Sequence, residues 1–294
     1  MKKTWRIVLP ALLVGSFISF ADTKDKREIN DKAVTEEICP CEMEGMDPEE
    51  AYNRSMANAG VSQQVSKETP KYLNPNIPIE ERIDDLLPRL TLEEKVIQLS
   101  DSWGSKGIAR LKIPAMLKTE GLHGQSYATG STIFPHGSNM GSTFDTELIQ
   151  EVGKATAIEA KAANLRVSWS PVLDVARDAR WGRVEETYGE DPYLVGRIGV
   201  AWIKGFQGEH MFACPKHFAG HGQPVGGRDS HDYGLSDRVM RNIHLAPFRD
   251  VIKEANAFGV MAAYGLWNGV PDNGSKELLQ KILREEWGFE GFVV

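Results

Sequence analysis

Cysteine is scarce in this chain: three among 294 residues, at Cys39, Cys41 and Cys214. Three do not make a disulfide framework. Cys39 and Cys41 are too close for an easy mutual bridge, and Cys39-Pro40-Cys41 reads as an incidental pair. Cys214 lies in an apolar run and reads as a small buried filler. A glycine-rich phosphate loop is absent, which leaves nucleotide binding without support. A serine nucleophile elbow and a His-Glu-x-x-His metal helix are absent too. His217 and His221 are four apart, but Pro215, Gly220 and Gly222 argue against the helix that such a metal pair needs. No metal and no cofactor is expected. Positive charge is also short: the net charge of −7, with no basic stripe, argues against nucleic acid or an anionic membrane surface as the main partner.

One long apolar run exists, Ile7 to Phe20, preceded by Lys2, Lys3 and Arg6. It is too short for a comfortable membrane span. Ser19-Phe20-Ala21 supplies small residues where a signal peptidase reads, so residues 1–21 are expected to be a bacterial-type secretory signal peptide. The mature protein would be periplasmic or extracellular, with no membrane attachment. No cysteine follows the run to carry a lipid. Residues 22–70 are polar, with few aromatics and no sustained periodicity, and read as a weakly ordered linker.

What is present from residue 71 onward is ordinary globular material: over the whole chain 41% is hydrophobic and 26% charged. Thr91-Leu92-Glu93-Glu94 is a capping box, opening a helix that runs through Val96, Ile97 and Leu99. A short apolar strand ending in polar residues and glycines spans 113–124. A helix over 145–163 should bury Leu148, Val152, Ala155 and Ala162. A strand at 166–172 ends at Asp174. Asp191 caps a helix with Pro192 in its first turn and Gly208 near its end. Met211-Phe212-Ala213 leads into Lys216-His217. Pro247 breaks or restarts the next helix. Gly259 to Tyr264 forms a further strand, Ser275 caps a last helix, and Phe292-Val293-Val294 begins another strand.

Strand, polar loop and helix thus repeat, which favours a parallel α/β architecture with every strand end on one face. Polar residues follow at least five strands, where an open sheet would gather them at two or three, so a (β/α)8 TIM-type barrel is expected, incomplete at its C-terminal end. Its rim collects Glu120, His123, Arg183, Glu185, Lys216, His217, Arg228, Asp229, His231 and Tyr264, with Trp181 and Trp267 nearby. Charged forks with aromatic plates suit a neutral, hydroxyl-rich ligand: cations donate to hydroxyls, carboxylates accept from them, and indole faces cover C–H surfaces.

Several stretches together resemble glycoside hydrolase family 3, of the β-glucosidase and β-xylosidase type. They are Thr91 to Lys95, Glu120-Gly121-Leu122-His123-Gly124, Asp178 to Arg183 with Glu186 to Pro192, Lys216-His217-Phe218, Val260 to Tyr264, and Trp287 to Val294. The resemblance implies that residues 71–294 are an incomplete N-terminal barrel, with a second domain elsewhere in the same chain. It implies retaining hydrolysis of terminal β-D-glucosyl or β-D-xylosyl residues of an oligosaccharide or glycoside, through two carboxyl groups about 5–5.5 Å apart. Glu120, Arg183, Lys216, His217, Arg228 and Tyr264 would grip the sugar. The nucleophile, an Asp, is expected just past Val294, and the acid/base comes from the second domain, so no catalytic residue is expected within these residues. They would be inactive alone. Glu120 stands where glucosidase-like members more often carry Asp, which resembles the xylosidase-like members. An alternative within the family is a β-N-acetylglucosaminidase using Asp229 and His231 as its acid/base dyad. A third reading is a non-catalytic sugar-binding module.

Overall fold

The computed structural model describes residues 69–100, 104–126 and 129–294. The expected signal peptide, most of the linker, and the Cys39–Cys41 pair lie outside the described residues. The chain divides into two units, residues 1–116 and 117–294.

In the first unit, helix α1 (Ile79–Leu86) and helix α2 (Leu92–Ser100) follow a short turn, Lys71–Leu73. Its core is Tyr72, Leu86, Leu90, Ile108, Leu111 and Ile113. Buried Arg82 donates from Nε and Nη2 to the Tyr72 carbonyl, and the Tyr72 hydroxyl donates to the Leu111 carbonyl at 2.9 Å. The capping box forms: Thr91 N donates to Glu94 Oε2 at 2.8 Å, and Glu94 N donates to Thr91 Oγ1 at 3.2 Å. Val96, Ile97 and Leu99 of α2 are exposed.

The second unit is mixed α/β. Strands β1 (Met116–Thr119), β2 (Val167–Ser168) and β3 (Phe212–Ala213) run parallel, with Lys118 opposite Val167 and Val167 opposite Phe212. Strand β4 (Gly259–Val260) is parallel to β7 (Phe292–Val293). Parallel bridges Val172–Lys216 and Phe218–Ala262 continue the order between these sets. Strands β5 (Leu266–Trp267) and β6 (Val270–Pro271) form an antiparallel hairpin. Helices α3 (Thr146–Ala162), α4 (Pro192–Gly208) and α5 (Ala246–Ala255) connect β1 to β2, β2 to β3 and β3 to β4. A π-type helix, Glu277–Glu286, connects β6 to β7. Parallel neighbours joined by helices are the expected alternation. The described strands do not close into a barrel.

Two helices open on acidic side-chain caps, of which Asp191 is the expected one. Asp145 Oδ1 accepts from Leu148 N at 3.0 Å, and Asp191 Oδ1 accepts from Tyr193 N at 2.7 Å and Leu194 N at 3.0 Å. Pro247 restarts the chain as α5 after a π-type stretch, Met240–His244. The buried face of α3 differs from the expected one. Ile149, Gly153, Thr156, Ala157 and Ala160 face inward, while Leu148 is exposed. The cause is α4: a Cβ at Gly153 would lie 2.3 Å from the Trp202 carbonyl oxygen, so the helices meet backbone to backbone there. That contact, more than side-chain hydrophobicity, sets how α3 is rotated. Around it, Trp202 stacks on Phe206 with centroids 4.8 Å apart, and Phe218 meets Phe248 edge-on at 5.3 Å.

Phe206 is completely buried, whereas the Asp191 cap acts at the surface. Phe206→Ala is therefore expected to lower unfolding free energy by about 3–5 kcal/mol, and Asp191→Ala by about 1 kcal/mol. Urea unfolding of the two variants beside the parent checks the order.

Candidate functional site

The site begins with the ends of parallel strands. Glu120 directly follows β1, Asp174 lies beyond β2, Lys216 and His217 follow β3, and Tyr264 lies beyond β4. Arg183 and Glu186 come from the loop after β2, and His221, Arg228, Asp229 and His231 from the loop after β3.

Asp174 is a buried acid at the strand ends. Its side chain is fully buried, and its Oδ2 lies 2.7 Å from His217 Nδ1 and 3.3 Å from His217 N. Burial pushes its carboxyl up, but the His217 ring and hydrogen bond, with His221 and Arg183, outweigh this and hold it below the ordinary carboxylate range. The Thr187 hydroxyl donates to the Asp174 carbonyl, anchoring the backbone.

His217 is itself buried, and its Nε2 lies 3.2 Å from Arg183 Nη2. A guanidinium can only donate, so this Nε2 accepts and the ring proton stands on Nδ1, facing Asp174. Arg183 Nη1 lies 3.2 Å from His221 Nε2, and its Nε and Nη2 donate to both Glu186 oxygens at 2.9 and 2.7 Å. Burial lowers the Arg183 pKa, and the bidentate Glu186 more than restores it. The arginine is thus fixed by three side chains, with at least one N–H left over for a ligand.

His221 Nε2 also lies 2.9 Å from Asp229 Oδ1. One ring nitrogen cannot accept from Arg183 and donate to Asp229 at once, so its proton follows whichever partner it keeps. Burial pushes the His221 pKa down. Nearer the surface, Lys216 Nζ donates to Glu120 Oε2 at 2.9 Å; Lys216 is 4% exposed and Glu120 33%. The Ser170 hydroxyl donates to the Glu120 carbonyl at 2.6 Å, holding that backbone in place.

Of the residues singled out in the sequence, the structure brings Glu120 to Lys216 and His217 to Arg183. Arg228 and Tyr264 are exposed, and neither side chain makes a hydrogen bond among the described residues. His123 packs against His136 with centroids 4.9 Å apart, and Glu185 and His231 are exposed. Asp229 turns to Trp181 Nε1 at 3.1 Å and to His221, not to His231.

The two indoles expected as open plates are not open. Trp267 is buried, with its Nε1 donating to the Leu235 carbonyl. Trp181 is 2% exposed and stands edge-on to His221. Each has its N–H satisfied internally, which is what burial of tryptophan requires. Sequence reasoning passed over Asp174 and Glu186 as site residues. An acidic residue at the end of a buried strand, as Asp174 is, carries the same signal as Glu120. Cys214 is buried, and burial pushes its thiol up to about 12, in keeping with an inert filler.

This geometry agrees with what the chain resembles. The model for the glycosyl hydrolase family 3 N terminal domain matches residues 91–294. A beta-xylosidase of Formosa agariphila is 39% identical over 234 residues, covering 75% of this chain and 32% of the relative. A beta-glucosidase of Kluyveromyces marxianus superimposes with a TM-score of 0.67 at 38% identity, covering 71% of this chain and 26% of that one. Beta-glucosidase 3B of Thermotoga neapolitana, solved with glucose, superimposes with a TM-score of 0.65 at 31% identity, over 72% and 33%. The chain spans about a third of the length of the first curated relatives it matches. Over residues 91–294, this chain belongs to glycosyl hydrolase family 3 as its N terminal domain.

Proposed function

We propose that this chain is the sugar-gripping part of a retaining β-glycosidase that removes terminal β-D-glucosyl or β-D-xylosyl residues. The observation that carries this reading is the convergence of Glu120–Lys216 and Arg183–His217 on neighbouring parallel strand ends. Glu120 and Lys216 supply an acceptor and a cationic donor, and Arg183 supplies a donor already held in place. Such prepared donors suit hydroxyls of one ring, because little ordering entropy remains to be lost on binding. Arg228 and Tyr264, both exposed, are free to close on the ligand. Relatives named beta-xylosidase and beta-glucosidase support both sugars. In the parent protein, the α/β unit would be part of a (β/α)8 barrel.

Retaining hydrolysis needs one carboxylate to attack the anomeric carbon and a second group to protonate the leaving oxygen and then activate water. Asp174 is too buried for either role, and Glu120 is committed to Lys216. In our reading both groups come from other residues of the parent protein, and these 294 residues bind sugar without cleaving it. The basic and apolar start of the sequence supports export of the parent to the periplasm or beyond. An Asp229–His231 dyad, as an N-acetylglucosaminidase would need, gets no support from the Asp229 contacts with Trp181 and His221.

Titration of the chain with glucose, xylose and N-acetylglucosamine tests the reading. Glucose or xylose is expected to bind, and Lys216→Ala to weaken binding by about tenfold or more, equivalent to about 1.4 kcal/mol. A clear preference for N-acetylglucosamine that His231→Ala removes would overturn it in favour of the dyad.

Because the native carboxyl of Asp174 titrates below its unfolded value, its stabilisation is present above about pH 4 and is lost as pH falls through the folded value. Asp174→Ala is expected to cost about 2 kcal/mol at neutral pH and to flatten the acid limb of stability. Urea midpoints measured from pH 3 to pH 7 give both.

A further inference from the structure

A second buried acid sits away from Asp174, on the hairpin side of the same unit. Asp272 follows β6, is fully buried, and accepts at Oδ2 from the Tyr233 hydroxyl at 2.8 Å. Its Oδ1 is buried without a hydrogen-bond partner, and no cation pairs with it among the described residues. A lone phenol is poor compensation for burying a carboxylate.

Tyr233 is 3% exposed and touches two backbones. At Gly220, φ is 101°, and a Cβ would lie 2.8 Å from Tyr233 Cδ2. At Gly265 a Cβ would lie 2.1 Å from the Tyr233 oxygen and 2.2 Å from Cζ. Both glycines are there because the ring leaves no room for a side chain. Gly220 precedes His221, and Gly265 follows Tyr264. The same strip is laced by backbone bonds: Tyr233 N donates to the Leu266 carbonyl at 3.1 Å, and Asp272 N to the Gly265 carbonyl at 3.1 Å.

We infer that Tyr233, locked by Asp272, is a positioning residue: a spacer that fixes the Gly220–His221 turn relative to the Tyr264–Gly265 turn and so holds two parts of the sugar site in register. The part concerning sugar rests on the function proposed above. The ring sets the separation by contact, and the hydroxyl–carboxyl bond keeps the ring from rotating out. Tyr264 is exposed, so its backbone is where its position is set, and Tyr233 abuts the next residue.

The latch has a pH signature. Burial pushes the Asp272 carboxyl up to about 8; the Tyr233 hydrogen bond opposes the rise and Asp232 adds to it. Burial also raises the Tyr233 phenol, helped by Asp272 and by the more distant Asp174, with Gly265 N opposing. Asp232 and Tyr233 are the titratable groups facing Asp272. A carboxyl raised in the closed form is favourable below its free value and loses its advantage as pH rises. The closed latch should therefore weaken from about pH 4 to about pH 8 and then level off.

Hydrogen exchange, expressed as protection factors, tests this on the 294-residue chain. Segments 217–222 and 262–272 are expected to lose protection together, by about tenfold or more between pH 5 and pH 8. Asp272→Asn, which keeps an uncharged acceptor, should flatten that dependence. Tyr233→Phe, which removes only the hydroxyl, should lower protection of both segments at pH 5 while leaving α3 and α4 unchanged. The inference is overturned if the two segments respond separately, or if Asp272→Asn keeps the pH dependence of the parent; the second variant decides the matter should Tyr233→Phe not fold. Glucose titration supplies the ligand arm. Weaker binding by Tyr233→Phe supports the positioning role, and undiminished binding overturns it. Failure of the unmodified chain to bind glucose or xylose would defeat the carbohydrate reading, while the exchange data still decide the latch.

Discussion

A single buried hydrogen bond, from His217 Nδ1 to Asp174 Oδ2, decides what the rim can offer a ligand. Without the carboxylate the imidazole could hold its proton on either nitrogen. With it, the proton stays on Nδ1, Nε2 becomes an acceptor, and Arg183 has a fixed place to donate. Arg183 then links His217 and Glu186 in one chain of donors and acceptors. In a low-dielectric setting such a chain is strong when complete and costly when broken.

Local chemistry was legible in the sequence; contact chemistry was not. The caps at Thr91, Asp191 and Ser275 depend on residues two or three positions away, and each forms as expected. The parallel pairing of β1 to β3 and of β4 with β7 followed from repeated apolar runs ending in polar residues; the antiparallel β5–β6 hairpin did not. The inward face of α3 was misjudged because it is set by the backbone of α4, a partner some fifty residues away whose approach no periodicity records. The indoles of Trp181 and Trp267 were misjudged for a related reason. An indole beside a polar loop has the same local sequence whether its face is open or its N–H is tied to Asp229 or the Leu235 carbonyl.

Among the candidate site residues, Glu120, Lys216 and His217 stood out because a charged residue at the end of an apolar run is visible without coordinates, and Arg183 because it lies in the Asp178 to Arg183 stretch that carries the family resemblance. Asp174 carries the same strand-end signal, while Glu186 lies in a charged loop without it. Their importance lies in being buried against another site residue, and burial of a charge is a tertiary fact. The sequence therefore marked the candidate site residues more readily than the acids that hold them.

The two buried acids illustrate opposite solutions to one electrostatic problem. Asp174 is kept ionised because an imidazole, a second histidine and a guanidinium surround it, and it orders those groups in return. Among the described residues Asp272 meets a phenol and another acid but no cation, so the neutral carboxyl fits its site. A charge organises polar side chains at the rim, where the direction of each donor matters. A neutral carboxyl ties a bulky ring between two backbones, where separation matters more than field. Placing the first beneath the rim and the second beside the hairpin lets one unit fix both the direction of its donors and the spacing of its loops.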